Sequence, residues 1–191
     1  MTSTPSHPRI YLAVTALWFA AIAALAGTGR LATLRPPLPQ AIIGALIVAL
    51  IAAGAALPGL RVWLAGLNLR QIIALHVTRF VGVYFLVLLG RGTLPAAFAL
   101  PAGWGDIAIA AAAVVLVLFV PDLIGHRAMV MTWNLLGLAD ILFAVFTATR
   151  LAFADPASMS AMLTLPLALV PFFLVPIIIG SHLLLFVRLR G

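Results

Sequence analysis

Long apolar runs, broken by short polar or Pro/Gly-rich segments, make up most of the chain. Six runs reach or approach the ~20 residues that cross a hydrocarbon core: Ile10 to Ala26, Gln40 to Leu57, Gln71 to Gly90, Asp106 to Val120, Val130 to Thr149 and Leu165 to Val187. Backbone amides inside lipid must be satisfied within their own segment, so each run is read as a helix. The pattern therefore predicts an all-α integral membrane protein, a bundle of six transmembrane helices in a single domain over residues 1–191. The connections carry turn residues, Pro36-Pro37 among them. One of them holds Leu60, Trp63, Leu64 and Leu67 at helical spacing, which predicts a short interfacial helix. No internal repeat stands out, so inverted-repeat transport gains no support. The first run is read as a retained anchor, because it lacks a cleavage motif and further spans follow.

A few polar residues interrupt the apolar pattern, and their depths are informative. Arg79 lies near the middle of the third run and Asp140 near the middle of the fifth. A charge at mid-bilayer costs roughly 2.5–3.5 kcal/mol on insertion scales, so it turns inward and takes a partner. Odd-numbered spans run in one direction and helices rise about 1.5 Å per residue, which brings Arg79 and Asp140 to a common level. His76, Asn134 and His182 fall in one layer towards one membrane face, on the third, fifth and sixth spans. His76 and Arg79 are three residues apart, as are Asp140 and Gly137, so each pair shares a helix face. Trp133 lies on the same stripe of the fifth span, and Gly137 offers close approach to the backbone. The expectation is a charged pair, Arg79–Asp140, above a polar lining of His76, Asn134, His182 and Trp133.

Composition supports the membrane reading. The 191 residues are 65% hydrophobic and 8% charged, too few charges to cover a soluble domain. All 11 basic residues are arginine, there is no Lys or Glu, and the net charge is +7. All of them but Arg79 flank the apolar runs, which points to anionic lipid head groups and membrane orientation rather than nucleic acid. Arg9, Arg61, Arg70, Arg127, Arg188 and Arg190 fall on one side, and Arg30, Arg35, Arg91 and Arg150 on the other. The excess predicts cytoplasmic termini in a bacterial inner membrane. With no cysteine, disulfides, thiolate metal sites and cysteine nucleophiles are excluded.

The stretch from Gly92 to Asp106, with Pro95, Pro101, Gly103 and Gly105, reads as a Pro/Gly-rich loop before the fourth helix. It is expected to be either a tight turn with Asp106 as the helix N-cap or a re-entrant lid over the polar interior. Together with Trp133-Asn134-x-x-Gly137-x-x-Asp140 and the final Pro166…Pro171…Pro176…His182 helix, this stretch resembles a family of small, uncharacterised bacterial multi-pass membrane proteins. The resemblance spans roughly Gln71 to His182 and implies a shared fold without an assigned activity. Gly103-Trp104-Gly105-Asp106 also resembles the G-x-G-D signature of intramembrane aspartyl proteases. That resemblance implies catalysis by two carboxylates, here Asp106 and Asp140, although in those enzymes the second aspartate precedes the signature and here it follows.

His76 and His182 share a depth on separate helices, as two axial haem ligands do. His7 and His126 lie in a tail and a loop and are not read as ligands. No cofactor is predicted outright, and haem is the alternative. The leading functional expectation is an inward polar cluster of Arg79, Asp140, His76, Asn134, His182, Trp133 and Asp106 that binds or passes a small solute or proton. A non-catalytic subunit of a larger membrane complex, a haem protein and an aspartyl hydrolase remain as alternatives, and an enzyme is not the favoured class. Homo-oligomerisation and a small-molecule or ion ligand are open partners, alongside the bilayer.

Overall fold

The computed structural model describes residues 8–190, so His7 lies outside the described residues. It is helical throughout, with no strand among the described residues. Six helices are long and apolar enough to cross a membrane, which marks the chain as a multi-pass membrane protein. The first two spans are α1 (Pro8–Gly27) and α2 (Leu38–Ala56), followed by the short helix α3 (Pro58–Gly66). The third span comprises α4 (Leu69–Ala74), a 3-10 stretch (Leu75–Phe80) and α5 (Val81–Gly90). The fourth is α6 (Ala96–Phe119), and the fifth is α7 (Arg127–Ala154). The sixth opens with a π-helical stretch (Val170–Leu174) and continues as α8 (Val175–Arg190).

The chain divides into two compact units. The first holds residues 8–67 and Ser160–Gly180. Its core is Ile22, Ala26, Leu31, Ala168 and Phe172, with Trp18 and Leu46 packed against it. Tyr11 of α1 meets Trp63 of α3 at 5.3 Å between ring centroids, and Trp18 stands edge-on to Phe173 at 5.0 Å. Pro171 lies within the π-helical stretch and Pro176 just after it, and neither has an N–H to donate to the helical ladder.

The second unit holds Asn68–Met159 and residues 181–190, and contains every polar residue singled out in the apolar runs. Its third span starts with a capping box. Arg70 N donates to Asn68 Oδ1 (2.8 Å), and Asn68 N donates to Gln71 Oε1 (3.2 Å). The Arg70 side chain closes the far end of another helix. It donates to the carbonyls of Val117, Val120 (2.6 Å) and Pro121 (2.6 Å). These carbonyls have no partner inside α6, and a cation suits the negative end of a helix.

The fourth span departs from the sequence expectation. The loop that precedes it runs only from Arg91 to Pro95, and α6 begins at Ala96 with Pro101 inside it. Pro101 removes a single backbone donor close to the helix start. Spanning helices tolerate this where neighbouring helices pack against them. Ala99, Ala102 and Gly103 are all buried on that packed face. Asp106 is therefore no N-cap: it sits ten residues after the first residue of α6, in the helix interior. Outward residues remain apolar, with Leu17 in the first unit 71% exposed and Leu118 in the second 67%. Bare leucines at that exposure suit acyl chains as neighbours, not water.

Candidate functional site

The site of the second unit begins with the backbone of the third span. In its 3-10 stretch, residues three apart eclipse one another, so His76 and Arg79 stand in line on one face. Both are buried, whereas Val77 and Phe80 face outwards.

Arg79 is the hub. Its Nε donates to Asp106 Oδ1 at 2.7 Å, and its Nη1 donates to the Gly137 carbonyl at 2.9 Å. Its Nη2 donates to Asp140 Oδ2. One guanidinium thus holds a carboxylate from α6, and a carbonyl and a carboxylate from α7. The two acids differ in access: the Asp106 side chain is 6% exposed and that of Asp140 is 20%. The expected pair is therefore a triad. Asp106 and Asp140 reach the same guanidinium, because α6 starts earlier than its prolines suggest and Asp106 lies inside it.

Three glycines make room for this arrangement. A Cβ on Gly82 would meet the Gly103 carbonyl and lie 2.8 Å from the Cβ of Asp106, so the third and fourth spans touch backbone to backbone there. Gly103 itself lies against Leu86. A Cβ on Gly105 would overlap Oδ1 of Asp140, so the missing side chain is what lets that carboxylate settle against α6. The Gly103-Trp104-Gly105-Asp106 stretch thus places two clearances and one ligand around Arg79, while Trp104 points outwards at 61% exposure. Gly105→Ala is expected to leave the fold standing and push Asp140 off Arg79, since a carboxylate at the end of a flexible side chain yields before a backbone does. Loss of the Asp140 contribution to Arg79 binding, read by infrared or NMR of the carboxylate with thermal stability almost unchanged, is the checking measurement.

A histidine layer adjoins the triad through Gly137, whose carbonyl accepts from Arg79 and whose Cα face meets the ring of His182. A Cβ there would come within 2.6 Å of His182 Cε1. His182 Nδ1 pairs with Asn134 Oδ1 at 2.8 Å, and Asn134 Nδ2 donates to the His182 carbonyl at 3.1 Å. His76 Nε2 pairs with Ser181 Oγ at 3.1 Å. The two imidazoles lie 4.4 Å apart between centroids, tilted by 55°. Trp133 stands edge-on to His76 at 4.9 Å and donates Nε1–H to the Ile109 carbonyl at 3.1 Å. His76, Asn134 and His182 are fully buried, and two of their ring nitrogens, His76 Nδ1 and His182 Nε2, have no protein partner.

The haem alternative does not fit this geometry. Axial ligands need a porphyrin and its iron between their rings, and these rings touch each other directly. Among the described residues there is likewise no group of three His, Cys, Asp or Glu placed to hold a metal ion.

Ser181 was not singled out from sequence, because a lone serine in an apolar helix carries no pattern of its own. Gly82 carries no sequence signal, and Gly105 reads only as a loop glycine, for the related reason that clearance shows only once the facing helix is in place.

The domain of unknown function DUF8737 matches residues 36–190, and the chain belongs to that family. No curated protein and no solved structure matches it.

Proposed function

We propose that the Arg79–Asp106–Asp140 triad is a proton-binding site, and that the protein moves protons across a bacterial inner membrane with its termini in the cytoplasm. One observation carries the reading: a single buried guanidinium is shared by two carboxylates. Fully ionised, the triad bears one net negative charge. An unbalanced charge inside a membrane domain is costly, and one bound proton removes it. Asp140, the more accessible acid, is where that proton enters and leaves. The cytoplasmic orientation rests on the arginine distribution along the chain.

Asp140→Asn separates this reading from a purely structural role. The amide keeps the shape and leaves Arg79–Asp106 as a balanced ion pair, so folded yield is expected to match the unmodified protein. In liposomes carrying a potassium diffusion potential and an internal pH dye, proton flux is expected to fall by about a hundredfold, the scale of a lost proton-transfer group. Equal flux in the two proteins, or none in either, would reduce the triad to a clamp between helices.

A further inference from the structure

Asn134 fixes the protonation of one buried ring. Its Nδ2 donates to the His182 carbonyl, so its Oδ1 is the atom that faces His182 Nδ1, and an amide oxygen only accepts. His182 Nδ1 therefore carries the hydrogen. In the neutral ring, His182 Nε2 is then left as a bare lone pair, fully buried and without a protein partner. That nitrogen lies beside Gly137, 3.1 Å from where a Cβ would stand. On its other side the Gly137 carbonyl is bonded to Arg79.

We infer that His182 Nε2 is a second proton-accepting position, reached from the triad past the bare face of Gly137. This rests on the proton-binding reading of the triad and extends it by one named atom. The step balances simply. A carboxylic acid at Asp140 becomes a carboxylate, an N–H bond forms at His182 Nε2, and the positive charge that results spreads over the imidazolium. Asn134 keeps its bond to Nδ1–H in both states, so the ring need not turn when it gains the proton. His76 of the third span packs on the ring, Arg79 of the same span is bonded to the Gly137 carbonyl beside it, and Asp106 of α6 and Asp140 of α7 are the carboxylates held by Arg79. The new positive charge is met by a carboxylate released in the same step, so the site as a whole gains no charge. His76 packs on the same ring and carries the other unpartnered nitrogen, Nδ1, which makes it the next position along.

Two measurements test this on the full chain in lipid. The first is nitrogen NMR of 15N-histidine-labelled protein. The expected result is an Nδ1–H tautomer at His182 whose Nε2 gains a proton as the sample is acidified, and a mixture of tautomers in Asn134→Leu. An Nε2–H tautomer in the unmodified protein, or an Nε2 that never titrates while the protein stays folded, would overturn the inference. The second is proton flux in His182→Gln, which keeps a hydrogen-bonding side chain and cannot be protonated. Flux is expected to fall by about a hundredfold, while the infrared band of the protonated triad carboxyl persists. Full flux in that variant beside a normal band would sink the His182 role and leave the triad reading intact. A missing band and missing flux in the unmodified protein would sink the triad reading instead. If His182→Gln does not fold, the tautomer measurement on the unmodified protein decides alone.

Discussion

Arg79→Ala is expected to be the most damaging single substitution in this protein. It strands Asp106 and Asp140 inside the membrane domain and removes the additional donor to the Gly137 carbonyl. Removing one member of a buried ion pair costs roughly 3–5 kcal/mol, because the other member stays desolvated and unpaired. Two carboxylates are stranded here, so little folded protein is expected in mild detergent, as read by size-exclusion profile and thermal unfolding. The triple variant Arg79→Ala/Asp106→Asn/Asp140→Asn carries no charge at the site and is expected to recover much of the yield. Asp140→Asn alone should behave like the unmodified protein in that assay. An Arg79→Ala protein as stable as Asp140→Asn would mean that the carboxylates find water or another cation, and the triad would lose its structural meaning.

Gly82→Ala is the second large effect, and it works through backbone rather than charge. The added methyl would run into the Gly103 carbonyl and the Cβ of Asp106, neither of which can swing aside as a long side chain can. Overpacking of a well-fitted interior costs about 1–3 kcal/mol. Here the strain also draws α6 away from the third span and lengthens the bond from Arg79 to Asp106. A fall in unfolding temperature together with weakened Asp106 binding is expected. Gly90→Ala, where a Cβ meets no neighbour within 4 Å, provides the control and should change neither. Equal tolerance of alanine at both positions would show that the third and fourth spans are not held at that closeness.

Six spans were legible in the sequence, because hydrophobic length alone determines them. So was the meeting of Arg79 with Asp140: both sit midway along spans that run in the same direction, and a fixed rise per residue turns sequence position into depth. The neighbourhood of His76, Asn134 and His182 followed from the same count. Asp106 departs from its expected place for a physical reason. Pro101, Gly103 and Gly105 weaken a helix in water, and by that rule they place Asp106 at a helix start. Inside a membrane the same small residues let backbones close on one another, and packing outweighs propensity. The 3-10 stretch from Leu75 to Phe80 had no signature at all, since its residues are ordinary for an apolar helix. Its consequence, Arg79 aligned with His76, was visible only as a three-residue spacing. The role of Arg70 was hidden in another way. A flanking arginine reads as a topology signal, and only the structure shows its guanidinium closing the carbonyl end of α6.

The chain has four acidic residues and no glutamate, and Asp122 and Asp155 are both exposed. Both lie outside the candidate spans, so among the described residues the side-chain carboxyls within the spans are those of Asp106 and Asp140. Infrared difference spectroscopy of the lipid-reconstituted protein across a pH step reads them directly. A protonated carboxyl C=O band that changes with pH, shifts in deuterium oxide and disappears in Asp140→Asn is the predicted result. Carboxylate bands alone at every pH at which the protein stays folded, or a band indifferent to that substitution, would contradict the claim that two acids around Arg79 hold one exchangeable proton.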